Sequence, residues 1–287
     1  MTPAPKRSAL KGPLLCVHSL PLSTCDTCRA AYEDGVAIQE RIETPWPPAG
    51  VDWYYSDDSV AIAHADCRDV LPLLRADFIM TDPPYNAGKS YGDNTNDKQQ
   101  WPDWTAWLDE RLALMFAAAP HTFMFLSVTA MMQYIRLGDI PPRWVLSWHK
   151  PLALAASNIP FYHHWEAIAY WGDGKRDDRV EFGDDVIKAN VTPNKFGHPT
   201  EKPIYLMRQL VRKSPAGSLI LDPFCGSGST LRAAKDLGRK SIGIEIEEKF
   251  CQIAAERMQQ AVLPWDAASA SKTPRTAPGR GGRGLGL

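Results

Sequence analysis

The run Leu219-Ile220-Leu221-Asp222-Pro223-Phe224-Cys225-Gly226-Ser227-Gly228-Ser229-Thr230 constrains this chain more than any other stretch. Its apolar residues read as a short buried strand, its glycines as a turn, and Ser229 to Leu237 as a helix. Ser241 to Ile246 then returns as a second strand, ending in acid. Val60 to Asp66, a helical stretch to Leu74, and Asp77 to Thr81 give another strand, helix and strand, which is the pattern of a parallel crossover. The chain is therefore expected to be α/β, with helices covering both faces of a mostly parallel sheet. Ligands in such sheets bind beyond the carboxyl ends of the strands, where Asp66 and Asp82 both stand. At 287 residues and 44% hydrophobic, the chain can bury one large core with a small appendage.

Thr81-Asp82-Pro83-Pro84-Tyr85 follows the apolar run Ala76 to Met80. Two prolines fix φ and remove two backbone donors, so the main chain offers carbonyl oxygens beside an anionic acceptor. Tyr85 adds an aromatic face with a polar tip. Such a group suits an exocyclic amino group, which has two N–H protons to place and a lone pair to free. Alone, the stretch is equally well explained by Asp82 capping a turn and Tyr85 sitting in a core.

The two stretches in this order resemble the S-adenosylmethionine-dependent DNA amino-methyltransferases, in the permuted arrangement called the beta class. The resemblance runs from about Val60 to Met258. It implies a Rossmann-like methyltransferase fold with a seven-stranded, mostly parallel sheet, and duplex DNA as partner, with the target base flipped out. It implies catalytic roles for Asp82, Pro83, Pro84 and Tyr85, and a donor site around Asp222, Phe224, Gly226 and Gly228. Phe196 to Pro203 contains His198-Pro199-Thr200-Glu201-Lys202-Pro203, similar to the family string that contacts the methionine part of the donor, which brings in Thr200 and Lys202. Asp66 lies where the family has an acid near base and cofactor; an N-cap for the next helix explains it as well. Trp148 and Lys150 resemble a Trp-x-Lys segment near the target pocket.

Several features favour a methyl donor over another nucleotide. Gly226 and Gly228 lack the third glycine of the dinucleotide fingerprint, and no Lys-Ser or Lys-Thr follows to cradle phosphate. A sulfonium cation suits a loop with Asp222 nearby and no basic residue. Glu245 stands where an acid can accept both ribose hydroxyls of a nucleoside.

Residues 51–262 are expected to form the methyltransferase domain. Before them, residues 1–50 hold an arm, a linker rich in proline, and Cys16, His18, Cys25 and Cys28, a thiolate and imidazole set suited to structural zinc; incidental cysteines are the other reading. Asn86 to Gln100 has the composition of a lid or of a solvated loop. Residues 173–197 match the place of a target-recognition insertion, yet acids outnumber bases there, which is awkward against phosphates. Residues 263–287 read as a disordered tail with arginine and glycine that can hold nucleic acid loosely. No apolar run approaches the ~20 residues needed to span a bilayer, so a cytoplasmic protein is expected; the oligomeric state is left open, with a homodimer as one form.

No Pro-Cys nucleophile appears, which disfavours transfer to carbon 5 of cytosine. Family members whose motif begins with Asp lean to adenine N6 and those beginning with Ser to cytosine N4, so the resemblance favours adenine. A non-catalytic DNA-binding module, and methylation of RNA or of a protein glutamine, are the rival readings.

Overall fold

The computed structural model describes residues 45–89, 97–152, 162–172, 183–191 and 201–261. The Cys16, His18, Cys25 and Cys28 set, Thr200 and residues 263–287 lie outside the described residues. In chain order the elements are β1 (Tyr55–Ser56), β2 (Val60–His64), α1 (Cys67–Val70), β3 (Phe78–Thr81), α2 (Trp101–Ala118), β4 (His121–Leu126), α3 (Val128–Leu137), β5 (Trp144–His149), β6 (Trp165–Trp171), β7 (Val186–Lys188), α4 (Ile204–Val211), β8 (Leu219–Asp222), α5 (Ser229–Asp236), β9 (Lys240–Glu245) and α6 (Glu248–Gln259).

Among the described residues the strands form one sheet in the order β1-β2-β9-β8-β3-β4-β6-β5-β7. That is nine strands where seven were expected; the additions are β1, of two residues, and β7, of three, one at each edge. The seven between them are mostly parallel as expected, with β6 alone running against its neighbours β4 and β5.

Alternation along β2 explains why helices cover both faces. Val60 and Ile62 pack with Cys251, Ala254 and Met258 of α6, whereas Ala61 and Ala63 point into the larger cluster on the other side. On α2 the helical spacing of Trp104, Leu108, Leu112 and Met115 puts all four in the core. Each such side chain contributes roughly 1.5–3 kcal/mol by leaving water.

Two elements depart from the expected pattern. The apolar run from Thr122 to Val128 reads as one buried strand, but Ser127 accepts a hydrogen bond from the Ala130 amide at 3.1 Å and starts α3 at Val128 instead. Within the expected recognition insertion, β7 joins the sheet beside β5, and Trp148 Nε1 donates to the Ala189 carbonyl at 2.8 Å. Backbone pairing, which does not need side-chain periodicity, holds this short strand.

One register matters most for the site. β3 and β8 lie side by side and parallel, with Phe78 opposite Ile220 and Ile79 opposite Leu221. Asp82 and the glycine turn therefore leave the same rim of the sheet.

Candidate active site

Asp82 follows directly on β3, and both its oxygens are engaged. Tyr85 donates its hydroxyl to Oδ1, and Lys202 Nζ lies 2.5 Å from Oδ2. Burial pushes the Asp82 carboxyl up while Lys202 pulls it back. Lys202 is itself buried, 3.0 Å from the Tyr85 hydroxyl and 3.6 Å from Glu166 Oε2. Its ammonium also lies about 5 Å from the ring centres of Tyr85 and Phe125, a cation–π setting. Burial opposes its charge, but Asp82 and Glu166 overcome that and raise its pKa. On the far side, Glu166 Oε1 takes Lys150 Nζ at 2.8 Å. Lys150 is thus buried on a carboxylate, and Lys202, expected to face the donor, faces Asp82 as well.

The main chain around the motif is fixed from outside. Trp104 Nε1 of α2 donates to the Pro84 carbonyl at 3.0 Å. Asn86, at φ 59°, starts a turn whose amides are gathered by the buried Asp97 carboxylate, which accepts from Asn86, Ala87 and Lys89 at 2.5, 3.1 and 2.9 Å. The two shoulders of the expected lid are therefore tied together; residues 90–96 lie outside the described residues.

Asp222 ends β8 in full burial. Thr81 donates to it at 2.7 Å, Thr230 at 2.5 Å, and the Phe224 amide at 3.2 Å. Thr81 precedes Asp82, so one side chain couples the two motifs. Burial raises the Asp222 carboxyl from 3.8 to about 7, against the pull of the three donors. Because the folded value lies above the unfolded one, the neutral acid is the stabilising form. Its contribution is complete below about pH 4 and lost as pH rises through about 7. Thermal melts of wild type and Asp222→Asn across that range should show the wild type losing ground steadily; parallel curves would refute it.

Glu245, at the end of β9, accepts from the Gly226 amide at 2.8 Å and the Glu247 amide at 2.9 Å, so it holds the glycine turn as well as facing the cavity. Asp66 caps α1 through the Arg68 amide at 2.9 Å and pairs with the Arg68 guanidinium. Gly226 and Gly228 have φ of 49° and 78°, where a side chain would be strained. Three of the six cysteines are described, Cys67, Cys225 and Cys251; all are buried thiols whose pKa burial raises, and they form no metal-ligand group among the described residues.

A cavity of about 410 Å³ joins these parts. Asp66, Asp82, Pro84, Lys202, Asp222, Phe224, Gly226 and Glu245 all border it, while Pro83, Tyr85 and Gly228 stand behind the wall. The sequence reading missed three others. Trp107 stacks obliquely on Phe224 with ring centres 5.7 Å apart, and the Arg111 guanidinium lies 4.2 Å from the Trp107 ring. Glu201 pairs with Arg257 at 2.9 Å through one oxygen, while its other oxygen is buried without a partner. Glu201 was visible in the His198 to Pro203 string, but nothing in the spacing distinguished it from Lys202. Carboxylates outnumber cations in this wall, which suits a positively charged nucleoside better than a phosphate ester.

Residues 163–256 match the DNA methylase family. The chain is 26% identical over 249 residues to the type II methyltransferase M2.LlaDCHI of Lactococcus lactis subsp. cremoris, covering 72% of this chain and 92% of that one. It is 25% identical to the type II methyltransferase M2.DpnII of Streptococcus pneumoniae over the same shares. Among solved structures, the PvuII DNA methyltransferase (cytosine-N4-specific) superposes with a TM-score of 0.60 at 14% identity, covering 75% of this chain and 91% of that chain. The fold is the one these enzymes share.

Proposed function

We propose that this chain, a relative of the DNA amino-methyltransferases, moves a methyl group from S-adenosylmethionine to the exocyclic amino group of a base flipped from duplex DNA, and that the base is adenine. The observation that carries the reading is the single cavity bordered by both Asp82 and the Gly226 turn. In it an amine acceptor and a carboxylate-rich nucleoside site face one space.

The donor fits what the wall offers. Glu245 suits ribose hydroxyls, the Phe224 ring an adenine face, and the unpaired Glu201 oxygen an α-ammonium group. When bound, S-adenosylmethionine supplies an electrophilic methyl group on a cationic sulfur.

The chain's own residues do the rest. The Asp82 carboxylate and a main-chain carbonyl of the Pro83-Pro84 pair, of which Pro84 borders the cavity, accept the two amino protons and hold the nitrogen pyramidal, which frees its lone pair. Positive charge developing on that nitrogen is stabilised by Asp82. Asp82 is also the nearest base for the proton that the methylated nitrogen sheds, and burial, by raising its proton affinity, favours that transfer. Tyr85 fixes the carboxylate through its hydroxyl, and the base must leave the stack to arrive. Residues 51–262 supply this body, with 173–197 in the place for target recognition.

Adenine rests on the aspartate that opens the motif. Digestion of DNA methylated by the purified protein, followed by mass analysis of the nucleosides, should yield N6-methyladenosine in its deoxy form. N4-methylcytosine would move the target to the other amino base. Failure to bind the methyl donor in calorimetry would favour a non-catalytic DNA-binding module.

A further inference from the structure

Asp82, Tyr85 and Lys202 of the site continue into the most unusual arrangement in the molecule, a row that runs on through Glu166 and Lys150. Its carboxylates and ammonium groups balance in charge, yet the ammonium groups are buried and the carboxylates largely so, where uncompensated charge is costly. Nothing in the reaction as described requires Glu166 or Lys150. A lone Asp82 would bind an amino group without them.

The difficulty lies at Asp82. Both donors on it, Lys202 and Tyr85, compete with the incoming amino group, and an ammonium 2.5 Å away weakens the field the carboxylate can exert on a developing cation. Each of those donors has the same second acceptor within reach. Glu166 Oε2 lies 3.3 Å from the Tyr85 hydroxyl and 3.6 Å from Lys202 Nζ. Its other oxygen is anchored by Lys150, and Trp148, on the neighbouring strand, lies 5.3 Å from that ammonium. Register places the pair: β5 and β6 are antiparallel with Trp148 opposite Glu166, so both side chains are held by the sheet rather than by a loop.

We infer that Glu166 is a positioning residue for the methyl transfer: its Oε2 is the second seat to which Lys202 and Tyr85 turn when the target amino group takes Asp82. Each donor rotates with its own hydrogens, so no bond to hydrogen breaks. The ammonium that shields Asp82 at rest is thereby drawn off as the substrate arrives, and Lys150 keeps the seat in place. In the resting protein Lys202 and Lys150 hold Glu166 ionised against the pull of burial, as a seat for a cation requires.

The inference rests on the methyltransferase reading, and its test separates the two. Single-turnover methylation and donor affinity by calorimetry are measured for wild type, Glu166→Gln, Glu166→Asp and the double variant Lys150→Met/Glu166→Gln, each from about pH 6 to 9. The expected result is an about 10- to 100-fold slower transfer in Glu166→Gln, the size of one lost charge-assisted hydrogen bond, with donor affinity unchanged. The aspartate variant should recover part of the rate. The acid limb of the rate profile in Glu166→Gln should move to lower pH, because Asp82 then faces Lys202 and Tyr85 without a second carboxylate beside it. The double variant keeps the row neutral, so it folds if charge balance is all that the glutamate supplies, and it too should stay slow. Wild-type rates in Glu166→Gln, or recovery of the wild-type rate in the double variant, would overturn the inference and leave the enzyme assignment standing. Absence of methylation by the wild type would instead remove the reading beneath it.

Discussion

Replacing Asp82 by alanine should slow single-turnover methylation by about 100- to 1,000-fold and leave donor affinity intact. The reason is spatial: Asp82 borders the cavity from the β3 side, whereas Glu245 and the Gly226 turn reach it from β9 and β8. Truncation also strands Lys202, which has Glu166 Oε2 at 3.6 Å as its remaining carboxylate partner. Asp82→Asn separates the two effects, because it keeps the shape and removes the charge. The asparagine variant should be as slow as the alanine one while melting closer to wild type. Calorimetry with the donor, quench-flow transfer and a thermal melt measure the three quantities. A wild-type rate in either variant would mean that the amino group is activated elsewhere.

Gly228→Val should be the most damaging single change to the donor loop. Gly228 caps α5 at φ 78°, and a Cβ there would lie 3.1 Å from the Ala254 Cβ of α6. A branched side chain adds left-handed strain to overpacking against a helix that cannot retreat from β2. Together these cost about 2–5 kcal/mol, on the scale of roughly 1–2 for the backbone and 1–3 for the crowding. A loss of donor binding should accompany the lower melting temperature, since the same turn carries Gly226 and its bond to Glu245. Gly238→Ala is the contrast: φ is 66° but nothing lies within 4 Å of the added carbon, so only the smaller backbone penalty applies. A Gly228→Val protein that binds the donor and melts like wild type would show that the close approach to α6 is not essential.

The sequence made the middle of the sheet readable because β2, β3, β8 and β9 are apolar runs ending in acids or glycine turns, a pattern with one physical meaning. Asp82 and Gly226 could be brought to one rim on that basis. The sheet edges were not readable in the same way. β1 and β7 have two and three residues, too few for a period, and owe their state to backbone bonds with longer neighbours. The start of α3 was hidden because Phe123 to Leu126 is apolar enough to run on as strand, and the Ser127 cap is a signal of one residue. Glu166 was hidden for a different reason. It sits in an aromatic strand where an isolated glutamate ordinarily faces water, and its importance comes from Lys202, far along the chain.

The helix α2 sets Trp104 on the Pro84 carbonyl and Trp107 against Phe224, with both indoles bordering the cavity. Emission from this helix should therefore respond when either half of the site is filled, without any label attached. The differences between wild type and single Trp104→Phe and Trp107→Phe variants would separate these two indoles from the chain's other tryptophans and report on the two ends of the cavity individually.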